Sequence, residues 1–212
     1  MAAIKHKAQR VGVFIDTQNL YHSAKNLFRS RVNFGAVLKE AVAGRILVHA
    51  SAYVVTTESG EEKAFFEALT KLGIVPKTKD LQVFYGGAKK ADWDVGMAID
   101  AVKFAPKLDA IVLATGDGDF VPLVEYLKSQ GIQVEVISFG KSSSGKLREV
   151  CDDFIDMGEA PKTYLLGSGR SASAYLPAFI AGTQPEPPEQ PEKGDPDDDD
   201  SMPTVVGADP EK

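Results

Sequence analysis

Short apolar runs recur along the chain, each followed by a stretch in which apolar residues return every three or four positions. Val11 to Ile15 is the first run and ends on Asp16. Ala110 to Ala114 and Gln133 to Ser138 repeat the pattern, and Ile46 to Val55 is rich in β-branched residues. Runs of this length and composition predict buried strands. A further short strand is expected over Leu81 to Tyr85, leading into Gly86-Gly87. Helical periodicity covers Leu20 to Phe28, Phe34 to Val42, Glu61 to Leu72, Trp93 to Phe104, Phe120 to Ser129 and Lys146 to Cys151. Gly73 and Gly131 supply C-terminal stops, and Pro106 ends the helix before it. Strands that are apolar on both faces, alternating with helices, imply an α/β fold with a parallel sheet covered on both sides.

The pattern changes near residue 160. The body is expected to occupy residues 1–160. A stretch of mixed character, 161–183, carries Leu165, Leu166, Tyr175, Leu176, Phe179 and Ile180, with Gly167 and Gly169 interrupting any helix. Residues 184–212 are dominated by Pro, Glu and Asp and have little to bury, so a disordered acidic tail is expected there. That tail also alters the meaning of the net charge. It holds ten acids against two bases, so the chain's −6 is a tail of −8 on a body of +2. A mildly basic body is compatible with a polyanionic partner. The tail is either a solubilising segment, an internal competitor for a basic groove, or a contact for a protein partner.

Other function classes are narrowed by what the chain lacks. The single cysteine, Cys151, excludes an internal disulfide and a cysteine-based zinc site. His6, His22 and His49 are too few and too scattered for a histidine metal site. No apolar run reaches the roughly 20 residues of a membrane span, and Met1 to Arg10 has no secretory signal pattern, so a cytoplasmic location is expected. Oligomeric state is open, a homodimer included. No Gly-rich phosphate loop followed by Lys-Ser/Thr is present, and Gly116-Asp117-Gly118 lacks the rest of a dinucleotide fingerprint. A haloacid-dehalogenase-like phosphatase needs a second Asp two residues after the first; Gln18 stands there.

The candidate chemistry lies at strand ends. In open parallel sheets, ligands bind beyond the carboxyl ends of the strands, where the strand order reverses. Asp16 ends the first apolar run, and Asp117 and Asp119 follow the run Ala110 to Ala114. Asp94 opens the helix after Lys89-Lys90. Carboxylates brought close together repel one another, and burial raises their pKa values. A hard cation such as Mg2+ or Mn2+ relieves that repulsion, and such ions serve phosphoryl chemistry. Each aspartate also has a plainer reading: Asp16 and Asp92 as helix caps, Asp117 and Asp119 as turn residues. Asp100 follows Asp94 by six residues, about 120° around the helix, so the two should not face one metal together. Asp100 is therefore expected to act behind the ligands or in the scaffold, as is Thr115. Asn19, Lys89 and Lys90 are candidate nucleic-acid contacts, with Lys141, Lys146 and Arg148 along the same edge. Tyr21, Tyr85 and Trp93 are either base-stacking surfaces or core.

Three motifs in order carry a family resemblance. Phe14-Ile-Asp16-Thr-Gln-Asn19-Leu, Asp92-Trp-Asp94-Val-Gly-Met-Ala-Ile-Asp100 and Thr115-Gly-Asp117-Gly-Asp119-Phe-Val-Pro-Leu-Val together resemble the NYN domain, in its LabA-like branch. Gly131-Ile-Gln-Val-Glu-Val fits as well. The resemblance spans about Val11 to Met157 and implies a PIN-like (Rossmannoid) three-layer sandwich. It also implies an Mg2+- or Mn2+-dependent ribonuclease, with Asp16, Asp94, Asp117 and Asp119 as the catalytic, metal-holding set; the candidate stacking aromatics add the expectation that the RNA is single-stranded. One departure is local. The family's Lys-Gly-Val-Asp-Val stands here as Lys90-Ala-Asp92-Trp93-Asp94-Val95, which moves the lysine one residue away. The alternative is a non-catalytic module that binds RNA or protein on the same scaffold.

Overall fold

The computed structural model describes residues 3–56, 63–80, 82–83, 89–90 and 93–166. The chain runs β1 (Arg10–Asp16), α1 (Thr17–Phe28), β2 (Arg31–Val32), α2 (Phe34–Val42), β3 (Ile46–Thr56), α3 (Lys63–Lys71) and β4 (Val75–Asp80). It continues with β5 (Gln82–Val83), β6 (Lys89–Lys90), α4 (Asp94–Phe104), β7 (Ala110–Ala114), α5 (Val121–Ser129) and β8 (Gln133–Ser138). Then come α6 (Gly145–Val150), β9 (Asp153–Asp156), α7 (Pro161–Tyr164) and β10 (Leu165–Leu166). Six strands form one sheet in the order β4-β3-β1-β7-β8-β9, and every pair is parallel. From β1 the chain first builds outward through β3 to β4, then returns to the other side of β1 and builds out through β7, β8 and β9. The order therefore reverses between β1 and β7.

The strand sequences follow from this placement. Val11, Val13 and Ile15 of β1 bury against Leu20, Val37 and Phe65 of α1, α2 and α3. Phe14 and the β7 residues Ile111 and Leu113 bury on the opposite face, against Met97, Val124 and Leu147 of α4, α5 and α6. A strand covered on both faces has no polar side to show, hence the unbroken apolar runs. Gly73 and Gly131 take φ of +79° and +80° after α3 and α5, as their role as helix stops requires.

Two sheet strands differ from the expected set. The outermost strand beside β3 is Val75–Asp80, while of the expected strand over Leu81 to Tyr85 only Gln82–Val83 is described, paired with Lys89–Lys90. The reason is positional. Val75-Pro-Lys-Thr-Lys-Asp80 alternates cations and contains a proline, which a central strand excludes and an edge strand welcomes. The other edge, Asp153-Phe-Ile-Asp156, is shorter still and half-polar. Of the mixed stretch after residue 160, Leu165 and Leu166 pair antiparallel with Val32 and Arg31. The expected acidic tail, Asp92 and Tyr85 lie outside the described residues.

At the amino-terminal half of the sheet sits a buried ion pair. Arg45 and Glu135 side chains are both 0% exposed and pair through two N–H···O contacts, one of them Nη2 to Oε2 at 3.0 Å. Arg45 also donates to the carbonyls of Ala41 (2.7 Å) and Val42 (3.0 Å). Lys5 reaches Glu135 at 3.1 Å and Asp153 at 3.0 Å. No described helix is long and apolar enough to cross a membrane.

Candidate metal centre

The reversal point between β1 and β7 places Asp16 and the Thr115-Gly-Asp117-Gly-Asp119 turn side by side, since Ile15 pairs with Ala114. Asp117 is extended and its carboxylate accepts from Asp119 N at 2.9 Å, which starts a single 3-10 turn leading into α5. Asp94 arrives from the first turn of α4. One carboxylate oxygen from each of Asp94, Asp117 and Asp119 lies within 4.8 Å of the others. Asp94 and Asp117 are partly buried and Asp119 is exposed, so the group faces a surface that solvent can reach. Three oxygen donors at this spacing match the preference of a hard divalent cation, which keeps its remaining positions for water or substrate.

Asp16 is not one of those three. Its Oδ1 accepts from Asn19 N at 3.0 Å and its Oδ2 from Thr115 Oγ1 at 3.2 Å. It thus caps α1 and at the same time borders the group. Burial pushes its pKa up to about 6, the charges of Asp94 and Asp117 push the same way, and the two hydrogen bonds only partly offset them. A proton is therefore held more tightly in the folded chain than in the unfolded one. The stabilisation from that proton is complete below the ordinary value of 3.8 and is lost as pH rises through about 6. In metal-free protein, Asp16→Asn is expected to be more stable than wild type above that range and no more stable below it, because Asn caps a helix equally well. Urea midpoints at the two ends of the range test this; equal midpoints at neutral pH would show that the Asp16 charge carries no cost.

The turn is braced from three sides. Thr115 is fully buried; its hydroxyl serves Asp16 as donor and Asp117 N as acceptor, the latter at 3.2 Å. The Asn19 side chain accepts from Gly116 N at 2.8 Å, tying α1 to the β7 turn. On the far side, Ser144 N donates to Gly116 O at 2.9 Å. A Cβ on Gly116 would sit 2.7 Å from Ser143 Oγ and 2.9 Å from Ser138 Oγ, so only glycine lets the serine loop approach. Sequence reading missed these serines. The run Ser142-Ser143-Ser144, separated by three residues from the end of a buried strand, was the available signal, since that loop must lie beside the neighbouring strand end.

The remaining candidates fall elsewhere. Asp100 accepts from Tyr53 Oη at 2.9 Å and Lys77 Nζ at 2.7 Å and is outside the three-carboxylate group. Burial opposes its charge, yet the hydrogen bonds from Lys77 and Tyr53 hold its pKa below the usual carboxylate range. Lys89 and Lys90 form β6, and their side chains lie outside the described residues. Trp93 is core-like rather than free to stack: Nε1 donates to Val54 O at 3.0 Å, and its ring meets Tyr53 edge-on at 5.4 Å. Tyr21 carries Lys25 above its ring at 5.6 Å. Lys141, Lys146 and Arg148 are exposed in the loop and helix after β8. An open, largely apolar cleft of about 580 Å3 leads away from Asp94 and Asp119 between α4 and α5, past Val95, Phe120 and Tyr126.

The chain and its fold have relatives among known proteins. The chain is 27% identical to the low amplitude and bright protein LabA of Synechococcus elongatus over 164 residues, covering 72% of the chain and 86% of LabA. It is 29% identical over 163 residues to an uncharacterized protein of Methanocaldococcus jannaschii, covering 74% of the chain and 59% of that protein. A crystal structure of a protein of unknown function from Vibrio parahaemolyticus superposes with a TM-score of 0.69 at 27% identity, covering 77% of the chain and 100% of that protein. The NYN domain model matches residues 10–159, the whole six-stranded sheet with the carboxylates at its reversal point, and the chain belongs to the NYN domain family.

Proposed function

We propose that this protein is a divalent-metal-dependent ribonuclease that hydrolyses phosphodiester bonds of single-stranded RNA. The observation that carries the reading is the convergence of Asp94, Asp117 and Asp119 oxygens within 4.8 Å at the reversal point of the sheet. Asp94, Asp117 and Asp119 would hold Mg2+ or Mn2+, with Asp16 completing the acidic set. When bound, that ion supplies a water of lowered pKa and stabilises charge developing on the phosphate. The chain's own groups do the rest. Thr115 and Asn19 hold the turn that carries Asp117 and Asp119. The Asp16 carboxylate, held by Asn19 N and Thr115 Oγ1, borders the group and adds its charge to the acidic set. Lys89 and Lys90 would meet the RNA backbone. The cleft between α4 and α5 offers an exposed Tyr126 ring to an unpaired base, as stacking recognition of single strands requires.

The second reading is a regulatory module that binds RNA or protein without cutting. It draws support from the cyanobacterial relative, whose name describes amplitude and brightness rather than a reaction. A labelled single-stranded RNA separates the two. Cleavage is expected with Mn2+ or Mg2+ and none with chelator. Intact RNA under all conditions, with calorimetry showing that the protein binds the metal, would favour the module.

A further inference from the structure

We infer that the apolar cavity between α2 and α3 is a docking site for this chain's own segment Tyr175-Leu-Pro-Ala-Phe-Ile180. The cavity measures about 230 Å3 and is lined by Val32, Phe34, Phe65, Leu69, Leu72 and Leu166 among others. Its floor is continuous with the core, since Phe34, Phe65 and Leu69 are 8%, 5% and 1% exposed. Its lips are not finished: Leu72 and Leu166 remain 43% and 40% exposed. Large apolar side chains left open beside a formed cavity favour a further apolar occupant.

The chain itself leads to the opening. Leu166 is the last described residue, lines the cavity, and is held there by Ser30 Oγ donating to its carbonyl at 2.6 Å. After it, Gly167 to Ala174 contains only Gly, Ser, Ala and one Arg, and then four large apolar residues stand within six positions. Eight residues of any conformation span no more than about 28 Å. The segment therefore lies within reach of the cavity at an effective concentration on the order of millimolar. A second copy of the chain would have to compete against that. Charge agrees as well: Arg31 lines the cavity, and carboxylates begin at Glu186, six residues past the segment. The docked segment would close the α2–α3 face and leave the acidic tail rooted there.

The test is hydrogen exchange on the full chain, read at α2 and α3. Phe179→Asp is expected to raise exchange in both helices about tenfold, the loss of one modest apolar contact. A synthetic peptide of residues 174–182 added to that variant is expected to restore protection. Leu72→Asp, on the cavity side, should block the restoration. Unchanged exchange in Phe179→Asp, with no effect of the peptide, would overturn the inference. Wild-type protection that fades on dilution would also overturn it, and would assign the cavity to a second copy instead.

Discussion

Asp117→Asn is expected to lower metal-dependent RNA cleavage by on the order of 10²–10³-fold, the usual cost of removing one preorganised electrostatic contact from a transition state. The substitution is a clean one. Asn retains an oxygen that can accept from Asp119 N, the 2.9 Å contact that starts the turn, so the loop keeps its shape while one charge is lost. The same variant is expected to be more stable than wild type without metal, because three carboxylate oxygens within 4.8 Å no longer all carry charge. With saturating Mg2+ or Mn2+ the order should reverse, since only wild type gains the full binding free energy of the ion. Cleavage rates and thermal midpoints with and without metal check both halves. Cutting at the wild-type rate would sink the assignment of the group, whereas lost cutting with a metal response equal to that of wild type would mean that Asp117 serves cleavage without holding the ion.

The largest stability effect is expected far from that group. Glu135→Leu leaves the Arg45 guanidinium fully buried with only the Ala41 and Val42 carbonyls as partners. An uncompensated buried charge costs about 3–5 kcal/mol, which in a domain of this size corresponds to a fall in Tm on the order of 10 °C. Adding Arg45→Met should recover most of the loss, because the pair's net worth is small while its halves are costly alone. Urea unfolding of the single and double variants measures this. A loss below about 1 kcal/mol for Glu135→Leu would mean that water or another group reaches Arg45 after all. The doubly substituted chain is expected to retain whatever cleavage activity wild type shows, since Glu135 lies toward the opposite end of its strand from Ser138 and the turn.

How much of this was legible beforehand follows from burial. β1 and β7 were plain in the sequence because both their faces are covered, and nothing but apolar residues fits there. β4 and β9 were not, because an edge strand is covered less and carries the lysines, aspartates and proline that blunt it. The site divides in the same way. Asp16, Asp117 and Asp119 stood out as carboxylates at the ends of apolar runs. Asp94 was a candidate from its place at the start of a helix, but its approach to Asp117 depends on how α4 packs on the sheet. The bond from Asn19 to Gly116, and the serines behind it, join segments far apart in sequence, and no local pattern announces such contacts. Asp100 shows the reverse: helical geometry was enough to separate it from Asp94, but not to supply Lys77 and Tyr53 as its partners.

The reversal of strand order between β1 and β7 bears on when each molecule becomes competent. Val11 pairs with Ala110, more than half the body away in sequence, and the carboxylate group draws on residues from 94 to 119. During synthesis, the first strand must wait for its central neighbour until more than half the chain has been made, and such distant pairings form slowly. A nascent chain thus carries Asp16 for a long time beside β3 alone, without the turn after β7 that bears Asp117 and Asp119. On the proposed function, a protein able to cut RNA would be harmless to the message being translated until the seventh strand has emerged and docked.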